Sequence, residues 1–172
     1  IQTVLLMICG MDFIDAISYS FSTLGAGGFA PHNAGVGTFN SPAMDWICTI
    51  FMFMAGINFS LYFSLLRRRF SDITENSELK AYCGIVVVAS ILVSVAIYPD
   101  HSGLFDTIEK STFQVVSILT TTGFVMEDYD LWPPMAKIVL FLLYFVGGCS
   151  GSAGGGIKVV RHVVLFKQLR NE

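Results

Sequence analysis

Thr120-Thr121-Thr122-Gly123-Phe124 closes a short amphipathic stretch and leads, past Pro133-Pro134, into a long apolar run. The same order occurs once before, where Gly25-Ala26-Gly27-Gly28-Phe29 ends an amphipathic stretch and leads past Pro42 into another apolar run. The last glycines of the two turns, Gly28 and Gly123, lie 95 positions apart. Pro42 and Pro134 lie 92 apart, and so do Gly56 and Gly148 in the helices that follow. A repeated hairpin with a glycine turn at its middle points to a pore.

Composition places that repeat in a membrane. Hydrophobic residues make up 53% of the 172 residues, charged residues 13%, and the mean hydropathy is +0.65. Soluble chains average about 25% charged residues. The expected class is an all-α, multi-pass membrane protein. The net charge of −3 says less than where the charges stand.

Three apolar runs delimit the chain. Residues 43–66 follow Pro42 and stop at Arg67-Arg68-Arg69, which predicts one spanning helix, since about 20 residues cross a core of roughly 30 Å. Residues 70–79 are polar and aperiodic and read as a cytoplasmic loop. Residues 81–98 predict a second span, fenced by Lys80 and Pro99-Asp100. The third run starts at Pro134 and dissolves at Gly147-Gly148-Cys149-Ser150-Gly151-Ser152-Ala153-Gly154-Gly155-Gly156 before apolarity resumes at Ile157, so residues 134–170 read as a broken helix. Ile1–Cys9, without a charged leader or cleavage site, reads as the outer end of a truncated helix.

Eight of the ten Lys and Arg residues (67, 68, 69, 80, 158, 161, 167 and 170) flank the 70–79 loop or the end of the third run. The positive-inside tendency makes those regions cytoplasmic. Nine of the thirteen acids (12, 15, 45, 100, 106, 109, 127, 128 and 130) then lie on the other side. Two readings stand: an acidic mouth that concentrates cations, or acids that cap helices and solvate loops.

Segments 12–29 and 104–124 are apolar enough to enter a bilayer and too short to cross and return as helix. Asp12-Phe13-Ile14-Asp15 and Asp106-Thr107-Ile108-Glu109 each place acids i, i+3 in a first helical turn, where the macrodipole favours them. Each segment then meets its glycine turn and must go back outward, as a re-entrant loop does. Such backbone is tolerated at membrane depth only when buried in protein or lining water, and rings of carbonyl oxygens there can replace an ion's hydration shell. Two extracellular loops that happen to hold glycines are the plainer alternative.

Other chemistry has little support. Gly151 to Lys158 lacks the spacing and strand context of a phosphate-binding loop. Cys9, Cys48, Cys83 and Cys149 contain no close pair for zinc or a disulfide framework. His32, His101 and His162 are too scattered for a metal or catalytic cluster. Ala55, Gly56 and Ser60 suit close helix approach, and Asn58 suits a hydrogen bond to a neighbouring helix or pore loop. No enzyme chemistry, resident cofactor or nucleic-acid partner is indicated.

With these residues in view the chain resembles the Trk/Ktr/HKT superfamily of potassium transporters, the bacterial Trk-type membrane subunit above all. The resemblance rests on Phe21-Ser22-Thr23 through Phe29, on Thr120–Phe124 with Asp130-Leu131-Trp132-Pro133, and on Gly147 through Arg161. It implies four repeats around one pore, of which residues 1–69 are the second and 80–172 the third; the remaining repeats belong to the parent chain. Gly28 and Gly123 become filter glycines flanked by Ala26, Gly27, Thr121 and Thr122. Potassium, the transported ion, is held by the backbone carbonyls of Gly27, Gly28, Thr122 and Gly123.

The resemblance further implies that Gly147–Gly156 is an intramembrane gating loop. Lys158 and Arg161 latch it, repel cations when it is closed, or snorkel to the interface. The expected setting is the cell (plasma/inner) membrane, in contact with lipid. The expected partners are a second copy in a homodimer and a cytoplasmic nucleotide-binding regulatory subunit of the TrkA kind. The competing function is a membrane structural or enzymatic subunit whose glycines serve helix packing.

Overall fold

The computed structural model describes residues 1–32, 35–100 and 103–171. His101 lies outside the described residues, as do the side chains of Asp100 and Arg170. Every regular element among the described residues is helical. In chain order these are α1 (Gln2–Ile8), α2 (Phe13–Leu24), α3 (Pro42–Ala55), α4 (Phe59–Leu66), α5 (Phe70–Thr74), α6 (Ser77–Ile97), α7 (Leu104–Leu119), α8 (Pro134–Leu143) and α9 (Val159–Asn171). Single turns of 3-10 helix occupy Gly35–Phe39, Tyr98–Asp100 and Tyr129–Leu131.

Local chemistry explains most of the starts. Asp12 caps α2 by accepting from the Ile14 N–H, Asn58 caps α4 through Ser60, and Asn76 caps α6 through Leu79, each satisfying a donor that the helix leaves open. Pro42 and Pro134 stand at the first turns of α3 and α8, where a missing N–H costs nothing. The Asp106–Glu109 tetrad differs from its counterpart. Because α7 already begins at Leu104, Asp106 lies inside its first turn while Asp12 is a cap.

The 43–66 run is not one straight span. It divides into α3 and α4 at Gly56-Ile57-Asn58 with a bend of 93°, and the carbonyls that a continuous helix would use are taken by other donors. Tyr82 Oη–H donates to Phe53 C=O (3.1 Å) and Tyr62 Oη–H to Met54 C=O (2.7 Å). The N–H groups of Ala153 and Cys149 donate to the carbonyls of Ala55 (3.1 Å) and Gly56 (2.9 Å). The bend therefore exchanges ladder bonds for tertiary ones.

The 70–79 segment is also more ordered than a loop. It holds α5, and Asn76 together with residues 77–79 forms the cap and first turn of α6. The third run leaves regular α-helix at Leu143 and winds on by i→i−3 bonds from Tyr144, Phe145 and Val146 before the glycines begin.

α7 lies against α3 and α6, α6 against α8 and α9, and α1 against α2 and α3. From Phe113 to Leu119 every residue of α7 is buried. The outward faces are apolar instead, with Val87, Val88, Ile91 and Val95 on α6 and Ile138, Phe141 and Leu142 on α8 exposed. Large exposed apolar faces suit lipid or further protein. Of the described helices, α6 alone is long and apolar enough to cross a membrane, and α3 with α4 qualifies as a bent pair.

Candidate functional site

The two glycine turns fold in the same way. The N–H groups of Gly25 and Thr120 donate to the carbonyls of Phe21 and Val116 (both 2.9 Å). Those of Ala26 and Thr121 donate to Thr23 and Ile118 (3.3 and 2.9 Å), and those of Gly27 and Thr122 to Ser22 and Ser117 (2.8 and 3.0 Å). Every donor and acceptor in one turn lies 95 positions from its equivalent in the other. The conformations match too: φ is +50° at Ala26 and +70° at Gly28, against +57° at Thr121 and +81° at Gly123. A left-handed conformation costs a non-glycine residue on the order of 1–3 kcal/mol and marks functional backbone. Here it occurs at equivalent places.

These turns meet. A Cβ at Gly28 would lie 2.1 Å from the Thr122 carbonyl oxygen, so only glycine lets the first turn approach the second. The space beside Gly123 is open. A cavity of about 260 Å³ at this junction is lined by Gly28, Ala30, His32, Gly123 and Val125 among others.

Side chains fix the junction from behind. Buried Tyr19 packs against Phe124 with ring centroids 5.6 Å apart and donates to the Gly35 carbonyl (2.8 Å), while Ser117 Oγ–H donates to Phe124 C=O (2.6 Å). The threonine hydroxyls are engaged away from the junction: Thr122 Oγ1 bonds Thr120 Oγ1 (2.8 Å) and Thr121 Oγ1 accepts from the Gly155 N–H (2.6 Å). That leaves backbone oxygens as the donor set a cation could meet there.

On the acidic side a second cavity, about 290 Å³, gathers Asp45, Asp106, Glu109, Lys110 and Glu127. Lys110 Nζ bridges Asp106 (3.2 Å) and Glu127 (2.9 Å). Asp45 Oδ1 and Glu109 Oε1 are buried without a hydrogen-bond partner. His32 Nε2 lies 2.8 Å from Asp15. Four of the expected acids are thus collected in one place by α3, α7 and the stretch after the second turn.

The glycine break forms a closed loop. The Gly147 N–H donates to Ile157 C=O (2.8 Å) and the Val159 N–H to Gly148 C=O (3.2 Å), which fastens its base. Ser152 Oγ–H bonds Cys149 C=O (2.6 Å), Gly151 and Gly156 both have φ of +71°, and the Lys158 ammonium donates to Gly154 C=O. Gly147 can bear no side chain, since a Cβ there would come within 2.1 Å of the Gly155 carbonyl oxygen.

Three elements hold this loop. The first is the α3–α4 bend, through Ala55, Gly56 and a bond from the Phe59 N–H to Gly151 C=O (3.1 Å). The second is the Thr120–Thr121 turn, which Gly154 and Gly155 touch. The third is Glu78, whose Oε1 accepts from the Ser150 N–H (2.6 Å) and the Val160 N–H (3.2 Å). Of the two cations beyond the loop, Lys158 contacts it. Arg161 is exposed, without a side-chain hydrogen bond to the loop among the described residues.

Gly28 of the first turn therefore meets Thr122 and Gly123 of the second, Ala26, Gly27 and Thr121 flank that contact along the chain, and Gly147–Gly156 is brought against the second turn. Sequence reasoning missed Tyr19, Ser117, Tyr82 and Glu78. Ser117 is matched at the 95-residue offset by Ser22, whose buried hydroxyl has no hydrogen-bond partner among the described residues, so the repeat gives no signal for the Ser117 bond to Phe124. For the others no local pattern exists, because their partners lie 16 to 82 residues away. The four cysteines are free, and no group of His, Cys, Asp and Glu able to hold a metal occurs among the described residues.

Comparison with known proteins bears on this arrangement. A family model described as cation transport protein, TrkH, matches residues 7–172. The chain is 38% identical over 170 residues to the Trk system potassium uptake protein TrkH of Escherichia coli K12, covering 97% of this chain and 35% of that protein. It is 32% identical to the Trk system potassium uptake protein TrkG of the same strain, over 96% of this chain and 34% of the relative. The fold matches the crystal structure of the potassium transporter TrkH from Vibrio parahaemolyticus with a TM-score of 0.93 at 32% identity, over 99% of this chain and 37% of the other. The chain spans about a third of the length of the curated relatives it matches.

Proposed function

The chain belongs to the TrkH family of cation transport proteins, and we propose that it supplies two adjacent quarters of a potassium-uptake pore. Potassium is the cation named for its relatives. Gly28 and Gly123 are the filter glycines, with Ala26, Gly27, Thr121 and Thr122 beside them, and the carbonyls of Gly27, Gly28, Thr122 and Gly123 hold the ion. The observation that carries this reading is the contact of Gly28 with the Thr122 carbonyl: two turns that share three equivalent backbone hydrogen bonds and similar φ meet where their threonine hydroxyls are already engaged. Backbone oxygens in such a setting can replace a hydration shell.

Gly147–Gly156 acts as the gate beneath this filter, with Lys158 fastened to it and Arg161 facing outward. The Arg67–Arg69 end faces the cytoplasm and the acidic cavity faces outside, so that the cavity raises the local cation concentration. The parent protein is a multi-pass protein of the cell (inner) membrane, bounded by lipid, that contributes the remaining repeats of the pore. It acts as a homodimer with a cytoplasmic nucleotide-binding regulatory subunit.

Potassium-dependent growth of an uptake-deficient host carrying the full-length parent tests the filter. Gly28→Asp and Gly123→Asp should each abolish growth while the protein is still inserted; growth that persists refutes the assignment. Deleting Ser150 to Gly155 should raise flux in purified vesicles, and unchanged flux from a folded variant refutes the gate.

A further inference from the structure

Glu78 stands in the first turn of α6, capped by Asn76, and is nine-tenths buried. A carboxylate so placed demands hydrogen bonds. It finds them across the break between α8 and α9: a single oxygen accepts from the Ser150 N–H on the loop and from the Val160 N–H in the first turn of α9. Val160 N–H is one of the donors that a helix start leaves unpaired, and a negative charge there is favoured by the helix dipole. A cap serving α9 alone would come from the residues just before it. Glu78 instead joins both sides of the break, from 72 and 82 residues away.

On the gating reading proposed above, we infer that Glu78 is a positioning residue of the gate. Its carboxylate holds the loop against the second filter turn and ties the loop's position to that of α6. The loop is otherwise suspended from the α3–α4 bend and from Thr121. Glu78 itself lies in the 70–79 segment, whose α5 is tied back to α4 by the bond from Ser64 Oγ–H to Asp72 Oδ2 (3.2 Å). A displacement of that segment reaches the gate through Glu78.

The test uses the full-length parent in potassium-loaded proteoliposomes, reading basal potassium flux together with amide hydrogen exchange at Ser150 and Val160. Glu78→Ala should raise basal flux roughly tenfold, as loss of charge-assisted bonds implies, and should quicken exchange at both amides. Glu78→Gln keeps an acceptor oxygen at the same reach but loses the charge, so its flux and exchange should fall between those of the wild type and the alanine variant. Glu78→Asp keeps the charge, falls one methylene short and should behave as the alanine variant, which it replaces if alanine prevents insertion. Unchanged exchange overturns the inference, as does quicker exchange at unchanged flux, or a glutamine variant as leaky as alanine. A wild type that passes no potassium, while exchange still quickens in Glu78→Ala, removes the transport reading itself and the gating role with it.

Discussion

The Gly28 backbone abuts Thr122 so closely that a methyl group at Gly28 would sit 2.1 Å from the Thr122 carbonyl oxygen, whereas the space beside Gly123 is open. Two positions equivalent in the repeat thus carry unequal steric constraint.

That inequality predicts a difference between two alanine variants. Both Gly28→Ala and Gly123→Ala place a side chain at positive φ, costing about 1–2 kcal/mol. Gly28→Ala adds a backbone collision and should lose clearly more stability in thermal unfolding of the detergent-solubilised parent. Equal losses would contradict the packing.

The α3–α4 bend predicts coupling between Gly56 and Tyr82. A Cβ on Gly56 would lie 2.3 Å from the Tyr82 hydroxyl oxygen and 2.9 Å from Thr120 Cγ2. Tyr82→Phe alone strips the Phe53 carbonyl of a donor and should cost about 1–3 kcal/mol. Gly56→Ala should cost less in the Tyr82→Phe background than in the wild type, because the nearest colliding atom is gone. A double-mutant cycle in thermal stability checks the sign.

Thr121 holds the loop by its hydroxyl, so Thr121→Val, which keeps the shape and loses the acceptor, should raise basal potassium flux several-fold on the scale of one lost hydrogen bond. Thr121→Ser should not. Flux from proteoliposomes together with exchange at Gly155 separates the two.

Lys110 neutralises part of the acidic cavity through Asp106 and Glu127. Lys110→Met should raise initial uptake at low ionic strength by a few-fold and converge on the wild type near 1 M salt, where the screening length falls to about 3 Å. An increase that survives high salt would point away from field focusing.

Much of this architecture is legible in the chain. Proline starts, glycine turns and the Gly147–Gly156 break are local signals, and the 95-residue offset ties the two turns together within the sequence itself. The bend at Gly56 is not legible, because hydropathy sums an apolar segment without regard to where its carbonyls find donors. Here the donors are Ala153, Cys149, Tyr62 and Tyr82. Glu78 is hidden for a related reason. In the sequence it is one more acid in a polar stretch, and its two amide partners come near only when α6, α8 and α9 assemble.

The grip of Thr121 on Gly155 has no counterpart in the other half, where Ala26 occupies the equivalent position and carries no hydroxyl. Duplication has kept the backbone of the two turns and let their undersides diverge. The loop is accordingly held by side chains, Thr121 and Glu78, on one side and by backbone bonds at Ala55, Gly56 and Phe59 on the other; on the gating reading proposed above, its release would break two different kinds of fastening on its two sides.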